Sequence, residues 1–208
     1  SGETITLSSA PVTGYTYSWT PVTGLSDPNI ANTVLTTSNL TSTPVSTTYI
    51  LTTNRIGCTS ADTVVITVNP LPIGTITGTI DVCENAGAPN ITFVGSGSTG
   101  PYTFTYTING GSNQTVTTTN GDTALISAPT NVPGTFLYSL VSIQDSSATA
   151  CAQPQSASIT ITVNPLPLAS ALIGGTTEVC EGGTSPNITF TGSVGTAPFT
   201  FTYTINNG

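Results

Sequence analysis

Nine carboxylates, four thiols and one guanidinium are the groups with which this 208-residue sequence could do chemistry, because it has no His and Arg55 is its only Lys or Arg. General acid–base and nucleophilic catalysis need a group poised near neutrality beside a nucleophile, and His, Lys and an activated thiol are the usual suppliers. Only the carboxylates remain: Glu3, Asp27, Asp62, Asp81, Glu84, Asp122, Asp145, Glu178 and Glu181. They are scattered singly, and no spacing converges two of them as a glycosidase pair requires. Each reads as a loop, turn or solvent-face charge, so no catalytic or cofactor-binding residue is assigned and the chain is not expected to be an enzyme. Two loops offer oxygen ligands to a hard cation: Asp27 with Asn29, and Asp81 with Glu84. Neither has the layout of an EF-hand, and a side-chain-capped turn explains each without metal, so calcium is at most a weak expectation.

Charge narrows the partners. The formal net charge is −8 with 5% charged residues. A nucleic-acid binder needs a basic stripe to displace counterions from phosphates, which one Arg cannot supply. Membrane insertion is not expected either, since no apolar run approaches the roughly 20 residues of a spanning helix.

The elements that would position these groups are strands. Thr supplies about a fifth of the residues, and β-branched side chains favour extended backbone. Helix formers are scarce, while 21 Gly and 15 Pro punctuate the chain. Apolar residues alternate with period two in Tyr15-Tyr17-Trp19, in Tyr102-Phe104-Tyr106-Ile108 and in Phe199-Phe201-Tyr203-Ile205, the pattern of half-buried strands. Trp19, Phe104, Tyr106, Phe201 and Tyr203 are therefore the expected core aromatics, with Trp19 on an immunoglobulin-like third strand. A sugar-stacking platform at Tyr15, Tyr17 and Trp19 is the competing reading. The intervening rows Thr103-Thr105-Thr107 and Thr200-Thr202-Thr204 should face solvent. Further strands are expected at 4–7, 47–53, 63–68, 90–94, 136–143, 158–163 and 187–191, a spacing that indicates β-sandwiches.

Repetition is the strongest organising signal. Val68-Asn69-Pro70-Leu71-Pro72 returns 95 residues later as Val163-Asn164-Pro165-Leu166-Pro167. Cys83-Glu84, Pro89-Asn90-Ile91-Thr92-Phe93 and the Thr103–Asn109 strand return 97 residues later, from Cys180 to Asn206. A period near 95 matches one immunoglobulin-like domain. Residues 1–69 are expected to form a sandwich without its leading strand, 70–164 a complete one, and 165–208 the opening of a third. Pro fixes φ at two positions of each Asn-Pro-Leu-Pro junction and biases its neighbours to extended geometry, which should stiffen the coupling and line the units up as a rod.

The cysteines fit this phasing. Cys58 and Cys151 lie shortly before a closing strand, Cys83 and Cys180 before an early one. A disulfide between Cys83 and Cys151 is expected, with Cys58 paired upstream of Ser1 and Cys180 beyond Gly208. Such a bridge would stabilise the domain by about 4 kcal/mol in the chain-entropy account and would imply an oxidising compartment.

The unit carrying Cys-Glu, Asn-Ile-Thr-Phe, Thr-Phe-Thr-Tyr-Thr-Ile-Asn and Val-Asn-Pro-Leu-Pro resembles the immunoglobulin-like repeats of giant Bacteroidota surface proteins. These include the SprB-type gliding-motility adhesins and other cargo of the type IX secretion system. The first unit, with Gly-Glu-Thr-Ile-Thr-Leu, Tyr-Ser-Trp-Thr-Pro and Gly-Cys-Thr-Ser-Ala-Asp-Thr-Val, is similar to their PKD-like subclass. The resemblance implies display outside the outer membrane, export by the type IX machinery, and a stalk that carries an adhesive tip toward polysaccharide or an abiotic surface. Lateral self-association of such stalks is compatible with it, as is the alternative of spacer or carbohydrate-binding modules in a secreted hydrolase. It also points to O-glycans at Thr63 and Thr123, within Asp62-Thr63-Val64 and Asp122-Thr123-Ala124. The Asn-x-Thr triplets at Asn39, Asn90, Asn113 and Asn187 read as incidental.

Overall fold

A computed structural model describes the chain except for Ser1, Asn120, Gly175, Thr176 and residues 206–208. The outer ends of the expected first and third units, and Asn206 of the repeated strand, thus lie outside the described residues. Among the described residues every regular element is a strand. The chain is all-β and built of immunoglobulin-like sandwiches.

The middle unit holds two facing sheets. One sheet has the order β11 (Thr123–Ser127), β8 (Asn90–Ser96), β6 (Ile73–Gly78). The facing sheet has the order β10 (Gln114–Thr117), β9 (Thr103–Ile108), β12 (Gly134–Gln144), β14 (Ser158–Asn164), β7 (Asp81–Cys83), with β13 (Ala152–Pro154) added to the end of β12. All pairs are antiparallel except β7 with β14, which is parallel. A leading strand split between the two sheets, with its second half running parallel to the last strand, is the immunoglobulin arrangement. Alternation fills the space between the sheets. Phe93 and Phe104 are 0% exposed, with ring centroids 5.4 Å apart, and Phe93 meets Tyr106 at 5.1 Å. Ile91, Tyr102, Tyr138, Leu140, Ile143 and Ile161 complete this core. At about 1.5–3 kcal/mol for each large apolar side chain removed from water, it is the main stabilising term of the unit. The Thr103, Thr105 and Thr107 row lies half-buried on the outer face.

The first unit has the same plan with fewer strands. β1 (Thr4–Leu7) pairs β3 (Thr33–Thr36), and across from them β2 (Thr16–Thr20), β4 (Val45–Arg55) and β5 (Cys58–Val68) form the second sheet. Nothing among its described residues takes the place of β6 or β7. Trp19, on β2, packs with Leu7, Leu35, Tyr49 and Leu51 and donates its indole N–H to the Ile30 carbonyl at 3.0 Å. Tyr15, expected on the same face, is exposed, and the Arg55 guanidinium lies 5.4 Å from its ring centroid. With Trp19 buried and Arg55 set against the ring of Tyr15, the three aromatics do not form one open sugar-stacking face.

In the third unit β15 (Leu168–Gly174) and β16 (Asn187–Ser193) repeat the register of β6 on β8, Leu168 opposite Ser193 as Ile73 is opposite Ser96. Phe190 contacts Phe201 at 5.7 Å and Tyr203 at 5.3 Å, the arrangement of Phe93 with Phe104 and Tyr106. Yet residues 199–205 are not a strand, and Tyr203 is 62% exposed where Tyr106 is 6%. The expectation of a strand there, and of Tyr203 as a core residue, is corrected. The cause is a missing ladder: β9 is held between β10 and β12, and among the described residues no strand pairs with 199–205.

Burial raises the phenol pKa of Tyr49, Tyr106 and Tyr138, and for Tyr138 the neighbouring Tyr106 adds to the effect. A phenol that ionises less readily when folded contributes stability that is intact below the unfolded value of about 10. That stability is lost as pH rises through the folded value, because the unfolded chain sheds protons first. Melting temperatures should therefore stay level between pH 7 and 9 and begin to fall above about pH 10. Scanning calorimetry across that range checks this.

Candidate functional site: the junctions between units

The expected Cys83–Cys151 disulfide is absent: all four cysteines are free, Cys58, Cys83 and Cys180 exposed and Cys151 partly so. The geometry of β12 explains it. Cys83 pairs with Asn164 at one end of β14, beside the Gly134 end of β12, whereas Cys151 precedes Ala152, the partner of Gln144 at the other end. Those ends are ten residues apart along one strand, about 33 Å at 3.3 Å per residue. A disulfide needs Cα atoms within about 7 Å. Cys83 and Cys151 therefore mark the trailing and leading ends of the unit.

The leading end grips the junction before it. Asn69 Nδ2 donates to Thr149 Oγ1 at 2.8 Å, and Gly74 N donates to Gln155 Oε1 at 3.4 Å, so the tip of the β12–β13 hairpin is fastened before Pro70-Leu71-Pro72 and the residue just after β13 is fastened beyond it. Pro70 and Pro72 are fully buried. The tip is shaped by Asp145, a buried residue whose Oδ1 accepts from Ser147 N and Oγ at 3.2 and 2.8 Å. Ser146 N and Oγ both donate to the Thr99 carbonyl, tying the tip to the loop before β9. Thr149 Oγ1 also lies 3.1 Å from Cys151 Sγ.

The trailing end grips the next junction. Glu84 N donates to the Asn164 carbonyl at 2.7 Å, and Glu84 Oε2 accepts from Leu166 N at 3.3 Å, inside the second Asn-Pro-Leu-Pro. Pro165 and Pro167 are not buried there. They line an open cleft of about 600 Å³ with Leu168, Phe199 and Phe201.

The trailing end of the first unit is also locked by a side chain. Buried Asn39 donates to the carbonyls of Val68 and Thr43 at 2.7 and 2.8 Å and accepts from Thr41 N and Oγ1. Its Asn-x-Thr triplet is thus structural. A further cleft, about 560 Å³, opens between β1 and β5, lined by Ile5, Leu7, Trp19, Leu51, Val64 and Ile66. It occupies the place that β6 and β7 fill in the middle unit.

The remaining candidates are placed as follows. Asp27 Oδ1 accepts from Asn29 N at 2.8 Å, a turn capped by its own side chain. Asp81 opens β7, and Glu84 is engaged with Leu166. Among the described residues no three His, Cys, Asp or Glu side chains converge on a metal position. Thr63 on β5 and Thr123 on β11 are exposed on edge strands, and Asp62 Oδ1 accepts from Thr63 N at 2.8 Å. Asn69, Asp145, Thr149 and Gln155 were not singled out in the sequence. The run Asp145-Ser146-Ser147 is a recognisable side-chain-capped turn, but nothing in it names the neighbour it reaches.

No protein-family model matches the chain, and no curated protein matches it. Among solved structures, that of the amphioxus IgVJ-C2 molecule is similar at 16% identity and a TM-score of 0.36, covering 78% of this chain and 97% of that one. The immunoglobulin-like assignment rests on the strand order and registers given above.

Proposed function

We propose that the chain is a length of the stalk of a long extracellular surface protein, one that carries load and reach for a binding tip elsewhere. The resemblance to Bacteroidota gliding-motility and type IX-exported adhesins supplies the setting: export to the cell exterior, and contact with polysaccharide or an abiotic surface through other regions. The observation that carries the reading is the junction. A hairpin of the middle unit is hydrogen-bonded to the last residue of the first unit, and both prolines that follow are buried. A stalk needs that economy of free linker, since each flexible junction would let orientation decay. Exposed Thr63 and Thr123 suit the proposed O-glycans, and intact-mass analysis of the native material matching the bare sequence would remove them.

Single-molecule pulling on the two ends tests the mechanical role. The first and middle units should yield as two separate force peaks. The middle unit should release about 300 Å of chain, from roughly 3.5 Å for each of its residues less its folded length. Extension without peaks would contradict a load-bearing role.

A further inference from the structure

We infer that the cysteines of this repeat staple neighbouring units to each other, the trailing-end thiol of one unit bonding the leading-end thiol of the next. The inference rests on reading the units as consecutive members of an array. Cys58 and Cys151 occupy equivalent places. Cys58 faces Arg55 at the β4–β5 turn, ten residues along from the Val45–Val68 end, as Cys151 lies at the far end of β12 from the Gly134–Val163 pair. Both are leading-end thiols. Cys83 and Cys180 are equivalent in sequence, and Cys83 sits at the trailing end against Asn164.

Overlaying one junction on the other brings the two kinds together. Asn69 and Asn164 are the same position of the repeat. At the first junction Asn69 touches Thr149, whose hydroxyl touches Cys151 Sγ, at 2.8 and 3.1 Å. At the second junction Asn164 is the strand partner of Cys83, one interstrand spacing of about 4.8 Å away. A leading thiol two contacts from this Asn and a trailing thiol on the strand beside it are thus brought to the same position of the repeat, as a bond across the junction requires. The 208 residues contain no such facing pair, which agrees with four free thiols.

Closing the bond removes two protons and two electrons. A small disulfide such as oxidised glutathione takes the electrons by exchange through a mixed disulfide and leaves as two thiols. Because the middle unit carries one thiol at its trailing end and one at its leading end, the bonds along an array of such units form an overlapping ladder. Its shortest covalent path through an unfolded unit runs between that unit's own two cysteines, so oxidation shortens the extensible length per unit by about a quarter.

The test extends the full chain after Gly208 with a copy of residues 112–164, which completes the third unit, and refolds it with oxidised glutathione. Peptide mapping without reductant should recover Cys83 joined to the appended copy of Cys151 as the main linked species, unchanged by Cys180→Ser. A bond between Cys180 and the appended copy, or both thiols free with the third unit folded by circular dichroism, overturns the proposal. If the extension does not fold, Asn69→Cys in the 208-residue chain asks the same of the first junction. Oxidation should join the new thiol to Cys151, and failure to do so overturns the proposed convergence. A compact particle in solution would instead refute the extended stalk while leaving the thiol pairing to be read from the map.

Discussion

Replacing Phe93 by Ala is expected to cost the middle unit about 3–5 kcal/mol, a large share of the whole stability of a domain this size. Phe93 is 0% exposed, and its ring is the meeting point of Phe104 and Tyr106 from the opposite sheet. Truncation therefore removes its own transfer energy and leaves a cavity that two ladder-bound strands cannot close. The loss should be confined. Trp19 is the only tryptophan and lies in the first unit, so its fluorescence reports that unit alone, while tyrosine near-ultraviolet dichroism reports both, through Tyr15, Tyr17 and Tyr49 in the first unit and Tyr102, Tyr106 and Tyr138 in the middle one. In urea, the tyrosine signal of Phe93→Ala should split into an early step from the middle unit and a later one coincident with the tryptophan transition, which should stay near its original midpoint. Both moving together would show that the units unfold as one.

Gly95→Ala should be nearly as damaging, by about 3 kcal/mol. A Cβ at this position would lie 2.3 Å from Tyr102 Cδ2. Tyr102 cannot step aside: it is 1% exposed, its N–H is bonded to Thr118 Oγ1 at 2.9 Å, and its hydroxyl donates to the Ser98 carbonyl at 2.6 Å. The same notch recurs in the third unit, where a Cβ on Gly192 would lie 2.4 Å from the Phe199 ring. The conflict is between two named groups, so it should be visible as coupling. In a double-mutant cycle by urea denaturation, Gly95→Ala should cost far less once Tyr102 is Ala than it does alone. Equal costs in both backgrounds would place the damage in the backbone instead.

Where the sequence alternates large apolar and small polar residues, it could be read directly. Strands β1, β2, β8, β9, β12, β14 and β16 carry that rhythm, and the Phe93–Phe104–Tyr106 core follows from it. β6 was hidden because one of its inward positions is Gly74, over which Leu140 and Phe104 pack, so its apolar face has a gap in the pattern. The Gln114–Thr117 and Ala152–Pro154 strands are too short and polar to show a period at all, and they form because a neighbouring strand offers its edge. Cysteine order gave the wrong bond, since spacing along the chain does not say at which end of an eleven-residue strand a thiol emerges. The residues that fasten the junction, Asn69, Thr149 and Gln155, are ordinary polar side chains whose role exists only once two distant segments meet.

The stiff, extended coupling of units is tested most directly by small-angle X-ray scattering of the 208-residue chain in dilute buffer. Units some 36 Å long placed end to end should give a radius of gyration of about 25–30 Å and an elongated distance distribution. A value near 17 Å, that of a compact particle of this length, would contradict the proposed stalk.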